Sequence, residues 1–212
     1  MSLLYKLYHK RVFLKKSVSS CTFQHKLRII KAKGCRYMKF TKMHGLGNDY
    51  IYINAITETV DNPEQLAIQM SRKHYGIGAD GLILIRQSDV ADFMMDMYNA
   101  DGSRAEMCGN GIRCVAKYVY DSKLTEKTEI LIETLSGVKR LFLEVNDEIV
   151  KMVTVDMGKP ELLSTKIPAI FDKEIIKNEK IEIDGEIYHI TCVSMGNPHT
   201  VIFVEDIGDV KL

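Results

Sequence analysis

The chain has 212 residues, 46% of them hydrophobic and 27% charged, with a formal net charge of +1. That length gives one large domain or two small ones, each with enough chain for a core, and no apolar run approaches the roughly 20 residues of a membrane helix. Residues 1–37 hold ten Lys or Arg and no Asp or Glu, leaving 19 basic against 28 acidic residues in the rest, and so acidic a body argues against nucleic-acid binding.

The basic stretch 1–37 has the composition of an organelle transit peptide, but is too charged for a secretory signal. The reading favoured here sets it outside the folded domain, because regular patterning begins abruptly at Met38 with "MKFTKMHGLGNDYIYIN". Strands are predicted at 39–43, 50–56 and 82–86, where Tyr, Ile, Leu and Phe alternate or cluster. Between the last two, "NPEQLAIQMSRKHY" predicts a helix, with Asn62 as cap and Pro63 in the first turn. "DFMMDMYN" predicts a strand and "NADGS" a turn. A helix then runs from about Gly109 to Lys123, with Ile112, Val115, Ala116 and Val119 at helical spacing. Residues 128–155 predict three strands separated by "LSGV" and "NDE" turns. "MGKP" at 157–160 breaks the pattern and marks a domain boundary. Strands recur near 181–183, 186–195 and 200–204, and the chain stops at "VEDIGDVKL". The expected organisation is a first domain over 38–155 and the beginning of a second over 156–212.

The five cysteines are Cys21, Cys35, Cys108, Cys114 and Cys192; an odd number without framework spacing suits a reducing compartment, and the cytoplasm is expected. "GIGADG" (Gly76, Gly78, Gly81) has the spacing of a dinucleotide fingerprint. That fingerprint follows a strand and opens a helix, whereas this one follows a helix and opens the strand "LILIR". Nucleotide binding is therefore set aside in favour of a tight connection whose glycines let backbone come close to a ligand. "HGLGND" (His44 to Asp49) reads by spacing as a turn, although the Asn48 amide could both donate to a carboxylate and accept from an ammonium.

"MCGNGIRC" is the most informative segment. Gly109, Asn110 and Gly111 follow Cys108 at a predicted helix start, where exposed N–H groups and the helix dipole favour negative charge. Such a position suits a substrate carboxylate and makes a thiolate available as nucleophile, base or metal ligand. Cys114, six residues on, lies on another face, which argues against a shared metal site or disulfide. Cys114 and Cys192 read as core residues. "SMGNPH" (Ser194 to His199) has turn chemistry; facing Cys108, His199 could tune a thiol and Asn197 could hold substrate.

In order and spacing, "MHGLGNDY", "GIGADG", "NADGS", "MCGNGIRC" and "SMGNPH" resemble diaminopimelate epimerase, and the resemblance runs from Met38 to the end of the chain. It implies a mixed α/β fold of two pseudo-symmetric domains with the site in their cleft. It also implies no pyridoxal phosphate, no metal and no other cofactor. The substrate would be the small molecule diaminopimelate, on the route to lysine and cell-wall precursors. No nucleic-acid or membrane partner is implied, and the complete family member could be a homodimer. The implied mechanism uses two cysteines on opposite faces of the amino acid, one removing the α-proton and the other returning one. Cys108 matches the first of these. Asn48, Asn99, Gly109, Asn110 and Asn197 match substrate-binding positions, and Gly81 is carried over as a backbone contact. His199 matches a position that modulates the cysteines. The family's second cysteine lies in a later glycine-rich segment preceded by a Glu-Arg pair, which this sequence does not contain. The chain is therefore expected to be truncated and inactive alone. The competing readings are a related cofactor-independent racemase or isomerase with another substrate, a non-catalytic fragment, and a thiol redox protein, the last weakened by the lack of C-x-x-C.

Overall fold

The structure, a computed structural model, describes residues 12–17, 23–31 and 34–206, with side chains from Met38 onward. It divides into two compact units, one reaching to Met157 and the other beginning at Gly158.

The larger unit is built on one mixed sheet. Its strands are β1 (Val12–Ser17), β2 (Phe23–Lys31), β3 (Gly34–Gly45), β4 (Asn48–Asn54), β5 (Gly81–Arg86), β6 (Phe93–Asn99), β7 (Arg104–Ala105), β8 (Glu129–Thr134), β9 (Gly137–Asn146) and β10 (Ile149–Gly158). They lie in the order β1-β10-β9-β8-β6-β5-β4-β3-β2, with β7 beside β6. β4 pairs parallel with β5, and β6 with β8. A parallel pair needs a crossover. Helix α1 (Pro63–Ser71) supplies the first and α2 (Gly109–Asp121) the second. The mixed α/β class expected from the sequence is the class observed.

The two crossovers explain why β4 and β5 are apolar without alternation. Ile51, Ile53, Leu82 and Leu84 share one cluster with Leu66, Ala67 and Met70 of α1. The alternate residues serve the α2 side, where the Tyr52 hydroxyl reaches Gly111 O at 3.5 Å and Ile83 Cδ1 lies against Gly111. Ile112, Val115, Ala116 and Val119, the predicted stripe of α2, are fully buried. At about 1.5–3 kcal/mol per buried aliphatic side chain, this layer holds the sheet between the helices.

Turn chemistry sets the hairpins. Between β9 and β10, Asp147 (φ 50°) and Glu148 (φ 59°) both take left-handed conformations, as a two-residue primed turn requires. α1 ends earlier than its sequence suggests, at Ser71 rather than Tyr75. Its last carbonyls are taken by the following loop: Ile77 N–H and Gly78 N–H both donate to Met70 O, at 2.8 and 3.0 Å, and Gly76 N–H donates to Arg72 O at 2.9 Å. Gly76 is pressed so closely on this end that a Cβ would lie 2.3 Å from Gln69 O. Gly76 therefore serves helix termination, where the sequence suggested an approach to a ligand.

The sequence reading kept residues 1–37 outside the fold. In the structure β1 lies beside β10, and β2 pairs antiparallel with β3 from Phe23↔Lys42 to Lys31↔Gly34. β3 without β2 would present a free row of N–H and C=O groups, which an extended segment satisfies. The rest of that stretch (1–11, 18–22 and 32–33) and the chain end from 207 to 212 lie outside the described residues.

The smaller unit carries the sheet β11 (Glu179–Ile183), β12 (Glu186–Ser194), β13 (Pro198–Ile202), in that order and antiparallel. Asp184 (φ 52°) and Gly185 (φ 84°) close the first hairpin. Ile167, Ile176, Ile190 and Cys192 form its core. Among the described residues, no helix is long and apolar enough to cross a membrane.

Candidate active site

Strand direction gathers most of the candidate residues at one end of the larger sheet. β4 and β5 run parallel, so their starts, Asn48 and Gly81, lie at the same end. β6 runs against β5 and brings its last residue, Asn99, opposite Gly81. The start of α2 joins them, because Gly45 abuts Asn110: a Cβ on Gly45 would lie 3.1 Å from both Asn110 Cβ and Asn110 O.

Cys108 is the N-cap of α2, with extended backbone (φ −133°, ψ 115°). Caps are usually Ser, Thr, Asp or Asn, whose oxygen accepts from the first turn. Here the sulfur does so, Gly111 N–H donating to Cys108 Sγ at 3.3 Å. Ile112 N–H bonds Cys108 O, while the N–H groups of Gly109 and Asn110 have no partner among the described residues. A half-exposed thiol thus stands beside two free amides at the positive end of a helix. Gly111 lies close under Ile83: a Cβ there would come within 2.8 Å of Ile83 Cδ1 and into ordinary contact, 3.7 Å, with Cys108 Sγ.

The other two cysteines with described side chains are buried. Burial pushes the Cys114 thiol above its ordinary range, against the lowering effect of a hydrogen bond with Tyr52. Cys192 sits in β12 beside Thr200. Cys108 is therefore expected to alkylate faster than Cys114 or Cys192 in the folded chain. Peptide mapping after timed iodoacetamide treatment checks this, and faster labelling of either buried thiol would contradict it.

Asn99 is held in the turn expected from "NADGS": its Nδ2 donates to Ser103 Oγ at 2.9 Å, and its backbone N–H to Ser103 O at 2.8 Å. Asn48 Oδ1 is buried and has no hydrogen-bond partner among the described residues. A buried acceptor left open at the end of a strand is suited to a donor from a ligand.

Asn197 and His199 belong to the smaller unit, on the turn between β12 and β13 and at the start of β13. Both are exposed, and Asn197 Oδ1 lies 3.2 Å from His199 Nε2. The sequence motif thus brings these two together, as a local pair.

Sequence reasoning did not find two further side chains at the sheet end. Tyr50 is buried beside Cys108 and Asn48, its ring against Gly81. Burial, with Cys108 and Asp80 behind it, holds its hydroxyl well above the ordinary tyrosine range and so keeps it protonated. Arg113, only 2% exposed, folds back over the start of α2. The spacing Asn110 to Arg113, three residues apart on a helix, was the available signal for the second. Among the described residues, no three His, Cys, Asp or Glu side chains converge as a metal site.

This fold is shared with solved structures of amino-acid racemases and epimerases. A probable proline racemase from Agrobacterium radiobacter K84 superposes with a TM-score of 0.61 at 15% identity, over 82% of this chain and 53% of that one. A hydroxyproline epimerase from Agrobacterium vitis gives a TM-score of 0.56 at 14% identity, over 82% and 52%. Sequence narrows the class further. The family model for diaminopimelate epimerase matches residues 40–163. The diaminopimelate epimerase of Acetivibrio thermocellus is 57% identical over 170 residues, which are 80% of this chain and 61% of that protein. That of Methanococcus maripaludis is 52% identical over 175 residues, 82% of this chain and 63% of that protein. The chain belongs to the diaminopimelate epimerase family, and spans somewhat over three-fifths of the length of these relatives.

Proposed function

We propose that the chain carries the Cys108 half of a cofactor-independent epimerase site acting on the α-carbon of diaminopimelate. The single observation behind this reading is the Cys108 cap: a half-exposed sulfur beside the unpartnered N–H groups of Gly109 and Asn110. An α-proton next to a carboxylate is very weakly acidic. The negative charge left by its removal spreads onto the carboxylate, and amides aimed there stabilise it as it forms. The thiolate of Cys108 takes the proton, and the C–H bonding electrons remain on the substrate. Asn48, with its open Oδ1, accepts from the substrate ammonium; Asn99 and the backbone of Gly81 lie beside it as further contacts. Asn197 and His199 keep the roles that the family resemblance gives them, substrate contact and tuning of the thiol. The domain bounds 38–155 and 156–212 belong to the same proposal.

Inversion needs a second proton donor on the opposite face of the carbon. In the family reading that donor is another cysteine, matched by neither Cys114 nor Cys192, both of which are buried. The purified 212-residue chain is therefore expected to exchange the α-proton while forming little meso product. Incubation with LL-diaminopimelate in D₂O, following deuterium uptake and stereochemistry together, tests this. Robust meso formation that disappears in Cys108→Ala would reveal a second acid within the chain. Failure to bind or exchange would remove the catalytic reading altogether. Faster exchange of proline or glutamate would move the substrate assignment to another amino acid.

A further inference from the structure

We propose that Arg113 is a positioning residue for this site, fixing the Asn110 amide so that its NH₂ end is presented to a carboxylate; the substrate part of this rests on the reading just given. Arg113 lies one turn into α2, 2% exposed, yet reaches back to the helix start. Its Nη1 donates to Gly109 O at 2.7 Å and its Nη2 to Asn110 Oδ1 at 2.6 Å. The planar guanidinium holds both oxygens at once, which a lysine ammonium on a flexible stem does less well. With Oδ1 occupied by a donor that cannot accept, the Asn110 carboxamide has one orientation, and Nδ2 is its free end.

The placement is unfavourable in itself. A cation near a helix N-terminus opposes the dipole, and a buried charge ordinarily needs a counter-charge. Arg113 forms no ion pair among the described residues, and its Nε is buried without a hydrogen-bond partner. Two positive features, the helix end and the guanidinium, thus stand together with no carboxylate paired to Arg113 among the described residues. An anionic ligand at the Gly109 and Asn110 amides supplies the missing charge. Arg113 would then both orient Asn110 and favour a carboxylate over a neutral group.

The test has two arms on the full chain. The first uses no ligand: the Asn110 side-chain amide resonances are compared in wild type, Arg113→Met and Arg113→Lys. A change in Asn110 with the rest of the spectrum preserved supports positioning; unchanged Asn110 resonances overturn it. Arg113→Lys serves where Arg113→Met does not fold, since one ammonium cannot hold both oxygens in the same way. The second arm measures LL-diaminopimelate affinity in a double-mutant cycle with Asn110→Ala. Loss of the fork is expected to weaken binding about tenfold in the Asn110 background and little in the Asn110→Ala background. Equal losses in both backgrounds would show that Arg113 does not act through Asn110. If wild type binds no diaminopimelate, the substrate reading fails, while the first arm still decides the positioning role.

Discussion

Cys108→Ala is expected to abolish deuterium uptake at the α-carbon of diaminopimelate while leaving the chain folded. A positioned general base contributes about 10²–10⁴-fold, so the variant should fall to the solvent background. The cost to stability is small by comparison. The Cys108 sulfur caps α2 through one hydrogen bond, from Gly111 N–H. Removing a cap costs about 1 kcal/mol, against about 5–15 kcal/mol for a typical domain. Cys108→Ser is the better structural control: a hydroxyl caps well but is far harder to ionise. It should retain the melting temperature and still lose exchange. Exchange that survives in both variants would assign the base elsewhere than Cys108. Tyr50 is held protonated by burial, so Tyr50→Phe is expected to perturb the thiol's surroundings without itself removing a base.

The legible part of this fold is the part governed by local chemistry. The stripe Ile112, Val115, Ala116 and Val119 located α2, and the glycines after Cys108 located its start, both within a residue or two of the observed Gly109–Asp121. The "NDE" turn is two left-handed residues, and Asp184-Gly185 closes a hairpin in the same way. What the sequence did not show depends on where chain segments return. "RKHY" continues a helical pattern after Ser71, yet the amides of Gly76, Ile77 and Gly78 come back to bond Met70 O and Arg72 O and end the helix. β7, two residues long, exists only because β6 is beside it. Of the site, Cys108, Gly109 and Asn110 were legible as a motif with a mechanism. Arg113 was not, because an apolar stripe says nothing about a polar residue buried between its members. Tyr50 was not, because burial beside a thiol is set by Gly81 on the neighbouring strand.

Gly81→Ala is expected to be the most damaging single methyl at the sheet end. A Cβ on Gly81 would stand 2.2 Å from Tyr98 O, 2.8 Å from Tyr50 Cε1 and 3.2 Å from Asn99 Cα. The Tyr50 ring has some freedom to move away. Tyr98 O does not, because it belongs to β6, where Tyr98 pairs with Leu82 in the next register position. Relieving that contact means parting β5 from β6 in the middle of the sheet. Overpacking typically costs 1–3 kcal/mol, and a backbone obstacle puts this case at the upper end, about 3 kcal/mol, or roughly 6–12 °C in Tm for a chain of this size. Gly47→Ala gives the comparison. Nothing lies within 4 Å of its Cβ position, and the strain there comes only from φ +86°. A left-handed residue costs about 1–2 kcal/mol, so Gly47→Ala should shift Tm less. The two variants also separate stability from function. Gly81→Ala displaces Asn99 and the Tyr50 ring next to Cys108, so α-proton exchange should drop even at temperatures where the variant is fully folded. Thermal melts and exchange rates at 15 °C measure both effects. A Gly81→Ala melt at or above that of Gly47→Ala would mean that β5 and β6 are not held as closely as the 2.2 Å contact requires.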